Sequence, residues 1–307
     1  MTDYRRLLTP AIGVGSVAVA LSVPMWLTVF EVALVTSVIA LAIFGVAFNI
    51  AFGFAHLPAF GHAAFYGLGA YGVAVGLKYT PETLAIPILL GVVSAFLYGV
   101  FVGTVSVRGR GIYFAVLTFT FGQLLYELFF RLDVTGGSNG LPLRIPDGAL
   151  AFLGDRILLY YVALGVLFAI LLFGHRLLNS PFGKAMRAVA DNEERAKSIG
   201  YPVTRIKIIV FTLTATLTSF AGVIHGLNNR FVSVDILFYS NSIEAIIVAT
   251  IGGTGSLVGP VVGSLFYVGL TELFAGFADI GTVIIGIVFV VVVFYFPSGL
   301  MGIFERL

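Results

Sequence analysis

The residues best suited to chemistry lie in one polar stretch, Asn179–Lys207, which we call the island. It holds six of the chain's seventeen basic residues. It also contains Asp191, Glu194 and Gly200, residues that pair charges and fix the ends of a helix. A polar, helix-forming stretch inside an otherwise apolar chain favours binding to another protein. The island therefore indicates a docking surface for another protein, although an ordinary water-facing loop has the same composition.

The spacing within the island predicts two helices. Ser180 followed by proline favours a start there and a helix over Pro181–Ala190. We expect the Asp191 carboxylate to cap a second helix and Glu194 to complete its capping box. That helix, Asn192–Ile199, is stopped by Gly200. Two turns are too few for a helix that is stable alone, which favours a segment held in place by a partner.

The chain carries no pattern typical of an enzyme. It has no cysteine and four histidines, and no two histidines have the i,i+4 spacing of a metal-binding helix. A phosphate-binding loop is absent, because Gly183-Lys184 lacks the preceding glycine. No nucleophile–base pair is evident. We therefore expect neither catalysis nor a metal or cofactor in this chain.

The elements that position the island are apolar. Of the 307 residues, 59% are hydrophobic and 10% are charged, against about 25% charged in soluble domains. The apolar runs are long and continuous, which favours helices over a barrel. This predicts an all-α, polytopic membrane protein with nine or ten spans in a lipid bilayer. A net charge of +2 gives no reason to expect nucleic acid.

The predicted spans form one transmembrane domain, residues 1–307, with loops at residues 131–156 and 179–207. The spans are Leu7–Phe30, Val32–Gly53, Ala59–Leu77, Thr83–Val107, Gly111–Phe130, Ile157–Gly174, Ile208–Asn229, one kinked span or two short arms between Glu244 and Glu272, and Ile280–Phe296. The first run is too long for a signal peptide, so we expect it to be retained. Ten spans place twelve of the seventeen basic residues on the island side, which predicts that the island and both termini are cytoplasmic and residues 131–156 periplasmic.

Two glycine-broken stretches are candidates for a translocation path, because irregular backbone inside a membrane either lines a cavity or is buried in protein. The candidates are Phe60, Gly61, His62, Gly252, Gly253, Thr254 and Gly255. Close helix packing explains single glycines equally well. His62 either lines the path or is a hydrogen-bonded packing residue.

Several motifs, in order along the chain, resemble one family. They are Asn49–Gly53 (NIAFG), Phe60–Tyr71 (FGHAAFYGLGAY), Arg110–Ala115 (RGIYFA), Thr135–Leu141 (TGGSNGL), the island and Gly252–Pro260 (GGTGSLVGP). Together they resemble the LivM family of branched-chain amino acid permeases. Within the island, Glu194, Ala196 and Gly200 resemble the loop by which ATP-binding-cassette (ABC) importer permeases engage their ATPases, with Arg195 where that loop has its first alanine.

The resemblance implies an ABC importer permease with a cytoplasmic coupling helix, in which Asp191, Glu194, Ala196 and Gly200 contact the ATPase. It implies a paralogous LivH-type permease, two ATPase subunits that bind ATP and magnesium, and a periplasmic binding protein. The complex would work by alternating access in a bacterial inner membrane. Urea and short-amide permeases are similar at the same motifs.

Two other functions remain possible on the sequence. A secondary carrier usually keeps carboxylates at mid-membrane, whereas those of this chain map near the outer ends of the spans: Glu31, Glu127, Glu244, Glu272 and Asp279. This favours an externally driven permease. A passive channel for a small neutral solute is the other alternative. Thr135–Leu141 is either a contact for the binding protein or a plain turn cluster.

Overall fold

The chain is described from a computed structural model, which covers residues 20–145, 150–276, 278–295 and 299–302. Five helices are long and apolar enough to cross a bilayer: Val29–Phe54, Ala85–Ser106, Ile112–Arg131, Arg156–Asn179 and Val203–Asn229. Within the covered ranges the only strands are a pair of two residues each. The predicted all-α, polytopic membrane fold is confirmed.

The α-helices are numbered in chain order. They are α1 (Val29–Asn49), α2 (Ala63–Tyr79), α3 (Ala85–Ser106), α4 (Ile112–Arg131), α5 (Arg156–Asn179), α6 (Pro181–Asp191), α7 (Glu193–Ser198), α8 (Val203–Asn229), α9 (Tyr239–Gly252), α10 (Gly259–Leu273) and α11 (Ala278–Tyr295). Helices α2, α9 and α10 have 17, 14 and 15 residues. Each therefore rises about 21–26 Å, less than the hydrocarbon thickness. Helices α9 and α10 are the two short arms that one interpretation of the Glu244–Glu272 run predicts.

The boundary before α1 differs from the prediction. Thr28 caps α1, since its Oγ1 accepts from the Glu31 N–H at 3.4 Å and its own N–H donates to the Glu31 carboxylate at 2.7 Å. This capping box places Glu31 in the first turn of α1, not at the end of the preceding span. Residues 20–26 are helical, and the rest of the predicted span Leu7–Phe30 before them lies outside the described residues.

Helix α1 continues as a π-helix, Ile50–Phe54. The wide turn closes where the Leu57 N–H donates to the Ala51 carbonyl at 2.9 Å. The chain then runs irregularly until α2 begins, so the predicted break at Gly53–His62 is confirmed. π-Helices are rare and are frequent at functional sites.

Glycines bring α2 into backbone contact with its neighbours. A Cβ on Gly69 would lie 2.0 Å from the Ser219 carbonyl oxygen of α8, and one on Gly72 would lie 2.1 Å from the Gly91 Cα of α3. No larger residue fits at either position. Close helix packing therefore accounts for both glycines.

The bundle has two distinct ends. At one, which we call the island end, His56 Nδ1 is hydrogen-bonded to the Ala190 carbonyl at 3.3 Å. The α1–α2 break and the island therefore meet there. At the opposite end, β1 (Leu141–Pro142) pairs antiparallel with β2 (Phe231–Val232). The described part of the predicted loop at residues 131–156 consists of short 3₁₀ turns and this strand.

Candidate functional site

The first island helix, α6, lies with one face on the bundle. Ser180 caps it as predicted, its Oγ accepting from the Gly183 N–H at 3.1 Å. Gly183, Met186 and Val189 are buried at successive three-residue steps. The Arg187 guanidinium lies 5.9 Å from the ring centroid of Phe54, at the end of the π-helix.

The second island helix, α7, begins one residue later than predicted. Its cap is Asn192, whose Oδ1 accepts from the Arg195 N–H at 2.9 Å. The predicted capping role of Asp191 is wrong, because α6 runs one residue further and includes Asp191. Glu194 consequently does not close a capping box on Asp191. The helix itself, Glu193–Ser198, matches the predicted short segment closely.

The end of α7 follows the prediction for Gly200. Its φ is +92°, a backbone conformation that favours glycine. The Gly200 N–H donates to the Lys197 carbonyl, and the Tyr201 N–H donates to the Ala196 carbonyl, both at 3.1 Å. These bonds satisfy carbonyls that a helix end leaves free.

Ion pairs attach α7 to two transmembrane elements. Glu193 pairs with Lys207 of α8 at 2.5 Å and lies 3.7 Å from Arg110 in the α3–α4 turn. Glu194 pairs with Arg110 at 3.1 Å. Glu193 was not among the predicted site residues. Its partners, Lys207 and Arg110, are far apart in sequence, so no local motif indicates this role.

The two faces of α7 differ in exposure. Ala196 is 2% exposed and faces the bundle, whereas Ile199 is 68% exposed. Asp191, Glu194 and Gly200 are also exposed, and nothing lies within 4 Å of a Cβ built on Gly200. The structure thus presents three of the four predicted docking residues, Asp191, Glu194 and Gly200, at the surface of the island end, whereas Ala196 is buried against the bundle. Beneath them lies a cavity of about 140 Å³, lined by the α1–α2 break, the α3–α4 turn and the α6–α7 junction.

The predicted path residues Phe60, Gly61 and His62 lie at the start of α2. A Cβ on Gly61 would be 2.0 Å from the Thr118 carbonyl oxygen of α4. His62 is fully buried, with Nε2 3.2 Å from Thr214 Oγ1, and three phenylalanine rings meet it edge-on. These are the contacts of a packing histidine. Phe60 is 41% exposed.

The other predicted path residues form the loop between α9 and α10. A Cβ on Gly252 would be 1.9 Å from the Gly259 carbonyl oxygen, and Gly253 has a φ of +114°. Thr254 is half-buried and Gly255 is exposed. This loop packs on the π-helix, since a Cβ on Gly53 would lie 2.3 Å from the Thr254 carbonyl oxygen. The two glycine-broken stretches therefore meet at Gly53, whereas Phe60–His62 packs on α4 and α8.

The Thr135–Leu141 stretch has the geometry of a turn cluster. Thr135 is buried, and its hydroxyl donates to the Leu132 carbonyl at 2.7 Å. Gly136, Gly137 and Gly140 all have positive φ. A more open, polar cavity of about 340 Å³ lies at the same end, lined in part by His225, where Asn229 reaches the ring at 2.9 Å.

Comparison with known proteins identifies the family. The profile described as "Branched-chain amino acid transport system / permease component" matches residues 30–293. The chain belongs to this family. It is a transport subunit of the ABC importer type and not an enzyme, and the resemblance inferred from the motifs is confirmed.

Relatives named LivM match over most of the chain. The high-affinity branched-chain amino acid permease LivM of Salmonella typhimurium is 29% identical over 92% of this chain and 72% of its own length. The LivM protein of Escherichia coli K12 is 28% identical over 94% and 74%. A xylose/arabinose import permease, XylH of Sulfolobus acidocaldarius, is 32% identical over 47% of this chain and 41% of its own length. No solved structure matches the chain.

Proposed function

We propose that this chain is a permease subunit of an ATP-driven importer of branched-chain or other hydrophobic amino acids. It would act in the inner membrane of a bacterium, with a LivH-type permease, two ATPase subunits and a periplasmic binding protein. ATP and magnesium would bind to the ATPases. The single observation that carries the proposal is the geometry of α7, which presents an exposed face outward and is ion-paired to transmembrane elements on its inner side.

A short helix with this attachment can transmit a push. Glu193 joins α7 to Lys207 of α8, a helix of 27 residues that runs from the island end to the opposite end. It also approaches Arg110, which joins α3 to α4. A partner that displaces α7 would therefore pull on α8 and on the α3–α4 turn at the same time. Ile199, exposed next to the helix end, offers that partner an apolar anchor.

The distribution of charge supports a cytoplasmic island. Twelve of the seventeen basic residues fall on the island side of the predicted spans, as the positive-inside bias requires. The Arg108–Arg110 turn, contributed by a different part of the chain, pairs with the island and so lies at the same end. The opposite end would then face the periplasm and receive the binding protein.

The relatives favour amino acids as cargo. Those named LivM match 82–94% of the chain, whereas the sugar permease and the autoinducer 2 permeases match 47–65%. A urea or short-amide importer remains the alternative within this architecture. Competition of labelled leucine uptake by isoleucine, valine, urea and acetamide separates the two.

Gly200→Arg tests the docking role of α7. The site has room for the side chain, and the strain of a non-glycine residue at a φ of +92° is confined to the exposed end of α7. We therefore expect near-normal membrane abundance, loss of ATPase co-purification and loss of substrate-stimulated ATP hydrolysis. Gly200→Asn is the matched control, because asparagine tolerates positive φ better than other residues and adds little bulk. Normal uptake by the arginine variant would contradict the docking assignment. Uptake by the purified chain alone, driven by an ion gradient or without any energy source, would instead support a carrier or a channel.

A further inference from the structure

One polar contact joins the end of α1 to the loop between α9 and α10. Asn49, the last residue of α1, is fully buried. Its Nδ2 donates to the backbone carbonyl of Ser256 at 2.9 Å. This partly buried hydrogen bond joins residues 207 apart in sequence. It ties one element to the other because breaking it leaves the buried Asn49 amide group without a partner.

The same two elements also touch through their backbones. A Cβ on Gly53 would lie 2.3 Å from the Thr254 carbonyl oxygen and 2.2 Å from Asn49 Oδ1. Gly53 belongs to the π-helix, whose wider turn carries this backbone against the loop. We call these four residues, Asn49, Gly53, Thr254 and Ser256, the joint.

On its other side the π-helix contacts the island. Phe54, directly after Gly53, lies under the Arg187 guanidinium of α6. Two residues further on, His56 is hydrogen-bonded to the Ala190 carbonyl, near the start of α7. The π-helix thus contacts the joint through Gly53 and the island through Phe54, and the chain directly after it contacts the island through His56.

The two arms of the hairpin beyond the joint pack closely on each other. A Cβ on Gly263 of α10 would lie 2.0 Å from the Val248 carbonyl oxygen of α9. The arms therefore pack backbone to backbone and cannot slide without separating. The Ile251 carbonyl of α9 also accepts from the Leu300 N–H at 2.8 Å. A displacement applied at the α9–α10 loop is passed to both arms.

We propose that the joint transmits movement of the island to the α9–α10 hairpin. Asn49 is the positioning residue that keeps ATP hydrolysis by the partner subunits coupled to passage of the solute. This inference rests on the proposed function and goes beyond it, because it assigns the route inside the chain. Weakening the joint uncouples the two processes and leaves both the island and the ATPases intact.

The test uses the assembled complex in proteoliposomes, with uptake and ATP hydrolysis measured together. Asn49→Leu keeps the branched shape of the side chain and removes the hydrogen bond, and Asn49→Ala removes the hydrogen bond without adding volume. We expect each variant to raise the ATP hydrolysed per amino acid imported by about tenfold, the factor that loss of one such hydrogen bond corresponds to. Gly165→Ala in α5 is the control, since nothing lies within 4 Å of a Cβ there, and its ratio stays at the wild-type value.

A spectroscopic readout follows the hairpin directly. Because the chain has no cysteine, Gly255→Cys gives this chain a single labelling site, in the exposed part of the loop, which is labelled before the complex is assembled. Trapping the ATPases with vanadate is expected to change the mobility of a spin label there in the otherwise wild-type complex. With Asn49→Leu the change is lost while ATP hydrolysis continues.

Three results would overturn the inference. One is a wild-type ratio in both joint variants, and another is a vanadate response at position 255 that Asn49→Leu does not alter. The third is loss of complex assembly in both joint variants with normal assembly of Gly165→Ala, which would make the joint purely structural. An otherwise wild-type complex that imports without hydrolysing ATP would refute the proposed function itself, so the two failures are distinguishable.

Discussion

The adjacent glutamates of α7 provide the sharpest test of how this helix is held. The Lys207 side chain is 12% exposed, and Glu193 is its only ion-pair partner among the residues described. Glu193→Gln removes the charge and leaves that ammonium group nearly buried and unpaired. Glu194→Gln makes the same chemical change one residue later. There the side chains of the pair, Glu194 and Arg110, are 79% and 60% exposed.

The expected magnitudes follow from these exposures. Breaking a fully buried ion pair by removing one partner costs about 3–5 kcal/mol, and an exposed pair contributes about 0–1 kcal/mol. The Lys207–Glu193 pair lies between the two limits, at 12% and 27% exposure. We therefore expect Glu193→Gln to destabilise the docked α7 by about 2 kcal/mol. Glu194→Gln is expected to cost less than about 1 kcal/mol.

Amide hydrogen exchange on the assembled complex measures this difference. The Ala196 N–H donates to the Asn192 carbonyl at 3.0 Å, and the Ile199 N–H donates to the Arg195 carbonyl at 3.2 Å. Both bonds open when α7 leaves the bundle. Exchange at these amides should accelerate about 30-fold in Glu193→Gln and less than about fivefold in Glu194→Gln.

The refuting result is equal acceleration in the two variants, or a larger effect of Glu194→Gln. Either would mean that general electrostatics at the helix start, and not the Lys207 pair, holds α7 in place. Repeating the measurement in high salt sharpens the contrast, because salt screens the exposed pair more than the half-buried one. Substrate-stimulated ATP hydrolysis should follow the same order as the exchange rates.

Two further predictions concern the core. Gly222→Ala would place a Cβ 1.8 Å from the Tyr66 carbonyl oxygen, a clash with backbone that no side-chain movement relieves. We therefore expect little folded protein in the membrane, whereas Gly165→Ala should show normal abundance. Comparable abundance of the two variants would refute this close approach. Thr214→Val removes the hydrogen-bond partner of buried His62. The free energy of unfolding should fall by about 1–3 kcal/mol. We expect a lower Tm in detergent and an unchanged KM for uptake. A shifted KM at an unchanged Tm would instead make His62 a path residue.

The sequence predicted the helices well where the signal was a long apolar run. Most helix starts and ends lie within a few residues of the predicted spans, because hydrocarbon thickness sets their length. The π-helix at Ile50–Phe54 could not be predicted in this way. Its wide turn accommodates the approach of Thr254 to Gly53, a contact between segments about two hundred residues apart.

The details of the island show a different limit. Asp191 and Asn192 are both good cap residues, and local sequence does not decide which of them a helix uses. Asn192 caps α7 because α6 continues through Asp191 before the helical conformation ends. Glu193 was missed for a related reason, since its role depends on Lys207, fourteen residues away, and on the α3–α4 turn.

Glycine positions were correctly singled out, but their roles could not be read from the sequence. A glycine is equally suited to line a translocation path and to let two backbones come into contact, because it has no Cβ. The structure places Gly61 and Gly252 against carbonyl oxygens, which is close packing. Gly255, with nothing within 4 Å of its Cβ position, has no such explanation.

The ion pairs that hold α7 on the bundle and the contacts at the joint differ in how they respond to a displacement. Each ion pair of α7 stabilises its docked position by about 2 kcal/mol or less. The pairs can re-form after a small shift, since charges attract over several ångströms. The contacts at the joint are steric and short-ranged, because Gly53 and Thr254 meet through their backbones. A displacement of the island would therefore lengthen the ion pairs of α7 before it separated Gly53 from Thr254. The ion pairs of α7 are therefore the more easily stretched contact, and the π-helix and the α9–α10 loop are held together by the closer one.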